Sequence, residues 1–450
     1  MRIFNFRTFI AVTLLFAAFI PRAYAVDIPP SFSFHGSGYG HGVGMSQIGA
    51  RGEALEGDSA TAILNYYYKD VVVNPVRDDQ ILRVNLGHLL TSLSLKTDTK
   101  LAHIELFNAD IADGVTSVAD TIIPSKSTLS FTLLGNSAIP SVTDAAGKVT
   151  ALTSGSSWTV RWSGTRELPG VDSLVSLKIG STTSKYRYGQ MQIKLVKTAL
   201  LGYRIEITNS LRLHDEYLWG IGEMPSSWPV QALQAQAIAS RTYALSKAGR
   251  IKTACDCDLY SATADQNFVG YSKESEAKYG VIWKGAVTST STDDSHGLAI
   301  LYNSMPIAAY FFSSSGGATE SGVDAWGSAV PYAISVPDPW SLLPSLNSKY
   351  IDWIRPISQS VIASAFGLPD VATLIITSRH PSGTVATITA TSSGGKSVSL
   401  SGEAFRSKSK LPSAYFDFDT AVISSPAATA SPSPAPSPTR TAFHSLYISL

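Results

Sequence analysis

Three observations predict an α+β fold. From about Ile81 to Thr208 the text is β-like: Trp158, Val160 and Trp162 alternate with Thr159, Arg161 and Ser163, and Met191, Ile193 and Leu195 alternate with Gln192 and Lys194, the period of a half-buried strand. Helical spacing flanks this region, over about Ile48 to Tyr68 and again in the second half of Leu211 to Gly249. Short strands and turns resume after Ala254 and continue to about Phe418.

Each element has its own signals. Phe34-His35-Gly36-Ser37-Gly38-Tyr39-Gly40-His41-Gly42-Val43-Gly44-Met45-Ser46-Gln47 is dense in glycine, which permits positive φ and close backbone approach. The helix after it offers Ala50, Ala54, Leu55, Ile63 and Leu64 for burial. Gly164, Pro169-Gly170 and Gly180 punctuate the β region as turns. In the later helix Ser226 or Ser227 can cap and Pro229 suits the first turn. Val230, Leu233, Ala237, Ala244 and Leu245 form its inward face, and Arg241 stands among them. A charge facing inward needs a partner or a ligand.

The chain has 450 residues, 44% of them hydrophobic and 15% charged, enough for two or three units with real cores. A formal net charge of +1 argues against a partner held through phosphate, so no nucleic acid is expected. Arg2 and Arg7, the apolar run Thr8 to Ile20, Pro21 and Ala23-Tyr24-Ala25 read as a signal peptide over 1–25. After its cleavage no membrane span is expected, and a secreted or cell-wall location is expected. Beyond Ser424 the Ala/Ser/Pro-rich text reads as a flexible tail, 423–450. The only cysteines, Cys255 and Cys257, allow a small ring, part of a metal site or free thiols.

Several chemistries lack their motifs. The glycines of 36–44 fall at every second position, so no G-x-G-x-x-G phosphate turn exists there. Gly394-Gly395-Lys396-Ser397 resembles the end of a P-loop, but Ala390 replaces its first glycine. No G-x-S-x-G or H-E-x-x-H occurs. What remains is Glu216-Tyr217-Leu218-Trp219-Gly220-Ile221-Gly222-Glu223-Met224-Pro225, followed by Gln231 to Tyr243. Glu223 lies between an apolar segment and a helix start, where burial raises a carboxyl's pKa and lets it donate a proton near neutral pH.

These runs resemble the signature of the stage II sporulation protein D family, whose domains are also called amidase enhancer or LytB-type. The E-Y-L-x-G-x-x-x-E-M-P and A-L-x-A-Q-A-x-A-x-R-T-Y runs stand here nearly intact. Asp265-Gln266-Asn267-Phe268-Val269-Gly270, Ser313 to Glu320 and Gly402-Glu403-Ala404-Phe405-Arg406 resemble three further family segments. The resemblance spans roughly 26 to 420. It implies a peptidoglycan lytic transglycosylase, with Glu223 as acid/base between N-acetylmuramic acid and N-acetylglucosamine and a 1,6-anhydro product. It also implies glycan strands as substrate and a cell-wall amidase as a further partner. By the same resemblance Arg241 faces the cleft beside Glu223, or makes a buried ion pair. His41, Gln47, Gln266, Tyr310, Ser314, Ser315 and Thr319 bind substrate. The alternative is a non-catalytic wall-binding or amidase-activating protein on the same fold.

The expected organisation is a glycine-rich segment and helix over 26–80, packed on a cleft-containing catalytic region over 201–422, with a β-rich inserted or accessory domain over 81–200. Four departures from the family pattern stand out. Gln234 replaces a lysine and Phe312 a histidine. Cys255-Asp256-Cys257 has only His214 and His296 as nearest histidines, so a four-ligand set cannot be written and no metal or cofactor is expected. The G-H-G-V-G-M-S-Q block opens the chain instead of closing the domain, as in a circular permutation. That order predicts Ser31–Phe34 and Ala414–Phe418 as spatial neighbours, with His41 and Gln47 near Glu223.

Overall fold

The computed structural model describes residues 28–420. The expected signal peptide over 1–25 and tail over 423–450 lie outside the described residues. The chain mixes helices with several β-sheets, an α+β architecture.

The β text forms two sheets over one core. One has seven strands in the order 259–260, 81–90, 202–212, 190–198, 157–162, 103–107 and 121–124; the other has six between 92 and 186. Phe131 and Trp158, one from each sheet, meet edge-on with ring centroids 5.2 Å apart. Alternation placed Trp158, Val160 and Trp162 correctly in the core, but Thr159 and Arg161 are buried too. The reason is a loop laid over the second face. Thr159 Oγ1 donates to the Ala109 carbonyl at 2.8 Å, and Arg161 donates to the Val115 carbonyl at 2.8 Å and to Gln190 Oε1 at 2.7 Å.

One hairpin of this sheet spans residue 200. Gln190–Thr198 and Gly202–Arg212 form one hairpin, with Thr198 opposite Gly202. The β-rich region therefore shares a sheet with the strand that feeds Glu223 and is not a detached insert.

Two helices, Gln47–Glu56 and Ala60–Tyr67, replace the single run expected from Ile48 to Tyr68. Gly57 ends the first at φ 105°, and Ser59 caps the second by accepting from the Ala62 N–H. Ala50, Ile63 and Leu64 are buried, whereas Leu55 sits on the open side of the broken helix. The long helix Val230–Lys247 begins directly after Pro229, with no serine cap. Val230 points outward, while Leu233, Ala237 and Ala244 face the core. Its alanines let the two preceding helices, the helix Lys278–Thr288 and the strand His296–Tyr302 pack closely around it.

A second hydrophobic core lies between Trp353 and Phe418, and the N-terminal strand belongs to it. Ser31–Gly36 is the middle strand of a sheet between Trp353–Ser358 and Phe416–Thr420, with Phe34 opposite Phe418. The two alternating runs that the permuted order makes neighbours are paired in this sheet. Phe34 is fully buried against Phe405, Phe416 and Phe418 at centroid distances of 5.4, 5.7 and 5.5 Å. Phe34→Ala is expected to lower the unfolding free energy by about 3–5 kcal/mol, the cost of an unfilled aromatic site. Equilibrium denaturation checks this, and a loss below about 1 kcal/mol would show that the strand adds little to this core.

Candidate functional site

Glu223 stands on a short segment between the helical turn Leu213–Tyr217 and the long helix. That segment is held as an antiparallel partner of 267–269. Ile221 bridges Phe268, the Gly222 N–H donates to the Asn267 carbonyl at 2.8 Å, and the Val269 N–H donates to the Gly220 carbonyl at 2.8 Å. Contact is so close that a Cβ on Gly220 would lie 2.3 Å from the Phe268 ring. The pairing aims the Asn267 N–H at Glu223 Oε1, 2.6 Å away.

The far side of the segment is fixed by two more groups. Gln47 Nε2 donates to the Glu223 carbonyl at 3.3 Å and to Gln236 Oε1 at 3.2 Å. The ammonium of Lys273, 1% exposed, donates to the Met224 carbonyl at 2.7 Å. Burial raises the pKa of Glu223, and the Asn267 N–H opposes that rise only in part. Among the described residues no salt bridge engages Glu223. Its carboxyl can therefore hold a proton at higher pH than an ordinary glutamate and release it without breaking an ion pair.

Nearby, Tyr217 is fully buried with a hydroxyl that has no partner, in the field of Glu223, Asp265 and Tyr243. The Tyr243 hydroxyl donates to Asp265 Oδ1 at 2.8 Å. From Tyr243 an aromatic wall continues through Tyr310, 6.2 Å away by ring centroids, to Trp326 at 4.7 Å from Tyr310. Trp326 is 38% exposed and carried no signal in the sequence, since a lone tryptophan beside glycines has no motif.

The remaining expected site residues divide. Gln47 reaches the Glu223 segment. His41 packs on the outer end of the wall, against Tyr310, Phe312 and Trp326. Its Nδ1 accepts from the Val43 N–H at 3.1 Å, and burial together with the positive charge of Arg406 lowers its pKa to about 4. Neutral and engaged, it shapes the wall. Gln266 and Thr319 are fully buried; Gln266 donates to the Ser240 carbonyl at 3.2 Å, and Thr319 Oγ1 accepts from the Val336 N–H at 2.9 Å. Ser314 is buried in its pairing with Tyr39, and Ser315 Oγ donates to Asp338 at 2.7 Å. Gln266, Ser315 and Thr319 thus spend these groups on the protein itself, while among the described residues Ser314 Oγ and Gln266 Oε1 are buried without a partner.

Arg241 lies in a buried ion pair inside the protein. It is fully buried, with Nε donating to Asp78 Oδ2 at 2.6 Å and Nη1 to Thr290 Oγ1 at 2.9 Å. His214 engages the other Asp78 oxygen at 2.6 Å. The inward charge found its partner in Asp78, far away in the chain, and the ion pair ties the long helix to the sheet. Cys255 and Cys257 are joined to each other by a disulfide.

Glu223 is thus a half-buried carboxyl in a cradle of two backbone segments, with no salt-bridge partner among the described residues. Residues 203–293 match the model of the SpoIID family, stage II sporulation protein. Through this region the chain is similar to that family. It is 34% identical over 145 residues to the amidase enhancer of Bacillus subtilis (strain 168), covering 30% of this chain and 18% of that protein. It is 34% identical over 133 residues to stage II sporulation protein D of the same organism, covering 28% and 38%. Against stage II sporulation protein D of Bacillus amyloliquefaciens it is 32% identical over 218 residues, covering 45% and 59%. The chain thus spans between about a fifth and three fifths of these relatives. No solved structure matches it.

Beneath the glycine block lies a second buried acidic group. Asp338 is fully buried and accepts from Ser341 at 2.6 Å and from Tyr67 at 3.3 Å as well as from Ser315. Beside it Glu53 is 2% exposed, and burial, with Asp58 and Asp338 nearby, pushes its carboxyl up to about 8. Between the ordinary glutamate value and about 8 the folded chain keeps a proton that the unfolded chain has lost. Stability should therefore be highest in acid and fall as pH rises through that window. Glu53→Gln should flatten this dependence, which urea titrations at pH values across the window would measure; an unchanged slope would assign it to other groups.

Proposed function

We propose that this chain is an exported peptidoglycan lytic transglycosylase that cleaves between N-acetylmuramic acid and N-acetylglucosamine, with Glu223 as general acid and then base. The observation that carries the reading is the state of Glu223: one N–H donor, no ionic partner and a pKa raised by burial. The match of residues 203–293 to the SpoIID family supports a cell-wall role. The apolar run near the N-terminus supports export.

The protonated carboxyl gives its proton to the bridging oxygen, which leaves C1 with the electron pair of the broken bond. The muramic 6-hydroxyl oxygen attacks C1, and its proton passes to the Glu223 carboxylate. The acid is regenerated, a 1,6-anhydro ring closes, and no water is consumed. One carboxyl suffices because the nucleophile comes from the substrate itself, unlike hydrolysis by a pair of acids. Asn267 N–H holds the anionic form between the two proton transfers, while Gln47 and Lys273 keep the segment from shifting. Tyr310 and Trp326 offer aromatic surface for the apolar faces of sugar rings. Arg241 serves this reading as a positioning residue: it anchors the long helix through Asp78.

A second reading keeps the fold without the chemistry, as a wall-binding protein that activates an amidase. Its support is the inward turn of Gln266, Ser314, Ser315 and Thr319, together with a relative named amidase enhancer. Digestion of purified sacculi in ¹⁸O water separates the readings. The transglycosylase leaves anhydro ends without label, a hydrolase leaves labelled reducing ends, and the activator releases neither. Glu223→Gln should fold normally and lose about 10²–10⁴ in rate, the usual share of acid–base catalysis. Wild-type rate should decline as pH rises through the raised Glu223 pKa, because the acid form is then lost. A variant keeping more than about a tenth of the activity would remove Glu223 from the role.

A further inference from the structure

Beside the aromatic wall two stretches of chain distant in sequence bring together donors that glycan cleavage does not use. Glu320 ends the Ser313–Glu320 loop, Asp324 lies in the short helix Gly322–Trp326, and His380 lies on the turn joining Thr373–Arg379 to Val385–Thr391. We propose that Glu320, Asp324 and His380 form a binding site for one divalent metal ion of the zinc class, clasping that hairpin to the helix that carries Trp326.

Geometry is the first argument. One carboxylate oxygen from each acid and one imidazole nitrogen all lie within 4.8 Å of one another. Asp324 Oδ1 and His380 Nδ1 are 3.2 Å apart. Adjacent ligands of a tetrahedral zinc with bonds of about 2.0 Å are separated by about 3.3 Å, so these two atoms already stand at ligand spacing.

Charge is the second. Glu320 is 4% exposed, yet among the described residues its carboxylate has no lysine or arginine partner. Its oxygens accept only from hydroxyls, Ser382 Oγ at 3.0 and 2.8 Å and Thr384 Oγ1 at 2.7 Å. Asp324 Oδ2 accepts from Ser321 Oγ at 2.8 Å. Two carboxylates this close repel each other, and a cation between them removes that cost. The hydroxyls hold both carboxylates in fixed orientation, as outer partners do around metal ligands.

Donor chemistry sets the class of ion. An imidazole nitrogen with two carboxylate oxygens suits zinc and its first-row neighbours, whereas calcium and magnesium favour oxygen-only sets. Occupancy also has a structural consequence. Trp326 follows Asp324 by two residues and packs on Tyr310 and His41 at 4.7 and 5.3 Å. The Glu320 N–H meanwhile donates to the Gly42 carbonyl at 2.7 Å. An ion here would fix the glycine block, the wall and the C-terminal hairpin at one point.

The test uses the full chain, stripped with a chelator and dialysed against zinc sulfate. Elemental analysis is expected to find about one equivalent of tightly held zinc, and thermal unfolding should shift upward with zinc but not with calcium. His380→Ala and Asp324→Asn, both partly exposed, should fold and lose affinity by about tenfold or more. Ser382→Ala should weaken binding by about tenfold through loss of ligand orientation. Zinc retention that is unchanged in both ligand variants, no retention by the wild-type chain, or equal stabilisation by calcium would each overturn the assignment. Because the readouts are metal content and melting temperature, the result is independent of whether Glu223 cleaves glycan.

Discussion

The antiparallel pairing of residues 220–223 with 267–269 is the constraint on which the site depends. A carboxyl near water is an ordinary acid, and one sealed in apolar surroundings without a donor would stay protonated and could not act as a base. Glu223 is placed between these limits. Burial lifts its pKa, and a single N–H from Asn267 at 2.6 Å supports its anion. That N–H is delivered by backbone register, not by a flexible side chain, so its direction is set before any ligand arrives. Gly220 makes the register possible, since any side chain there would collide with Phe268.

The protein handles its other buried charges in two ways. Arg241 and Asp78 are completely enclosed and neutralise each other, with His214, Thr290 and the Leu298 carbonyl filling their remaining hydrogen-bonding positions. Removing either partner would strand a charge at a cost of several kcal/mol. Among the described residues no lysine, arginine or histidine forms a salt bridge with Asp338. Hydroxyls solvate the aspartate, and burial with Asp58 and Asp338 nearby raises the pKa of the neighbouring Glu53, which favours its neutral form. Pairing ties the long helix behind the site, while the helix Gln47–Glu56, which carries Glu53, presents Gln47 to the Glu223 segment.

What was legible in the sequence follows from how local each determinant is. Period-two alternation identified Trp158, Val160 and Trp162 as core, because strand geometry alone sends them to one side. The burial of Thr159 and Arg161 depended on a covering loop about fifty residues earlier in the chain, which no local pattern reveals. Glu223 could be singled out because its apolar flanks are adjacent to it. Arg241 was recognisable as anomalous from helical spacing, but Asp78 is 163 residues away, so its partner was invisible. For Gln266, Ser315 and Thr319 the resemblance implied ligand binding, yet hydroxyls and amides take whichever direction offers a partner. Here the partners are a carbonyl, a buried aspartate and a backbone N–H. Leu55 was misjudged because Gly57 and Ser59 split a helix that continuous spacing would have carried through.

The glycine block explains how the second core is connected to the candidate site. Gly38, Gly40, Gly42 and Gly44 all have positive φ, with Tyr39, His41 and Val43 between them. A slip of one residue would force those three side chains into the left-handed region, so the segment has one tolerable register. In that register the Ser37 N–H meets the Tyr415 carbonyl, Gly40 meets Pro412, Tyr39 pairs with Ser314, and Met45 meets Tyr310. The next turn carries Gln47 to the Glu223 carbonyl. Strand Ser31–Gly36, itself locked between two strands of the C-terminal core, sets the starting point of this path. The sequence order of the block therefore matters less than its register: a chain entering from that strand delivers Gln47 to the same place that the pairing of 220–223 with 267–269 requires.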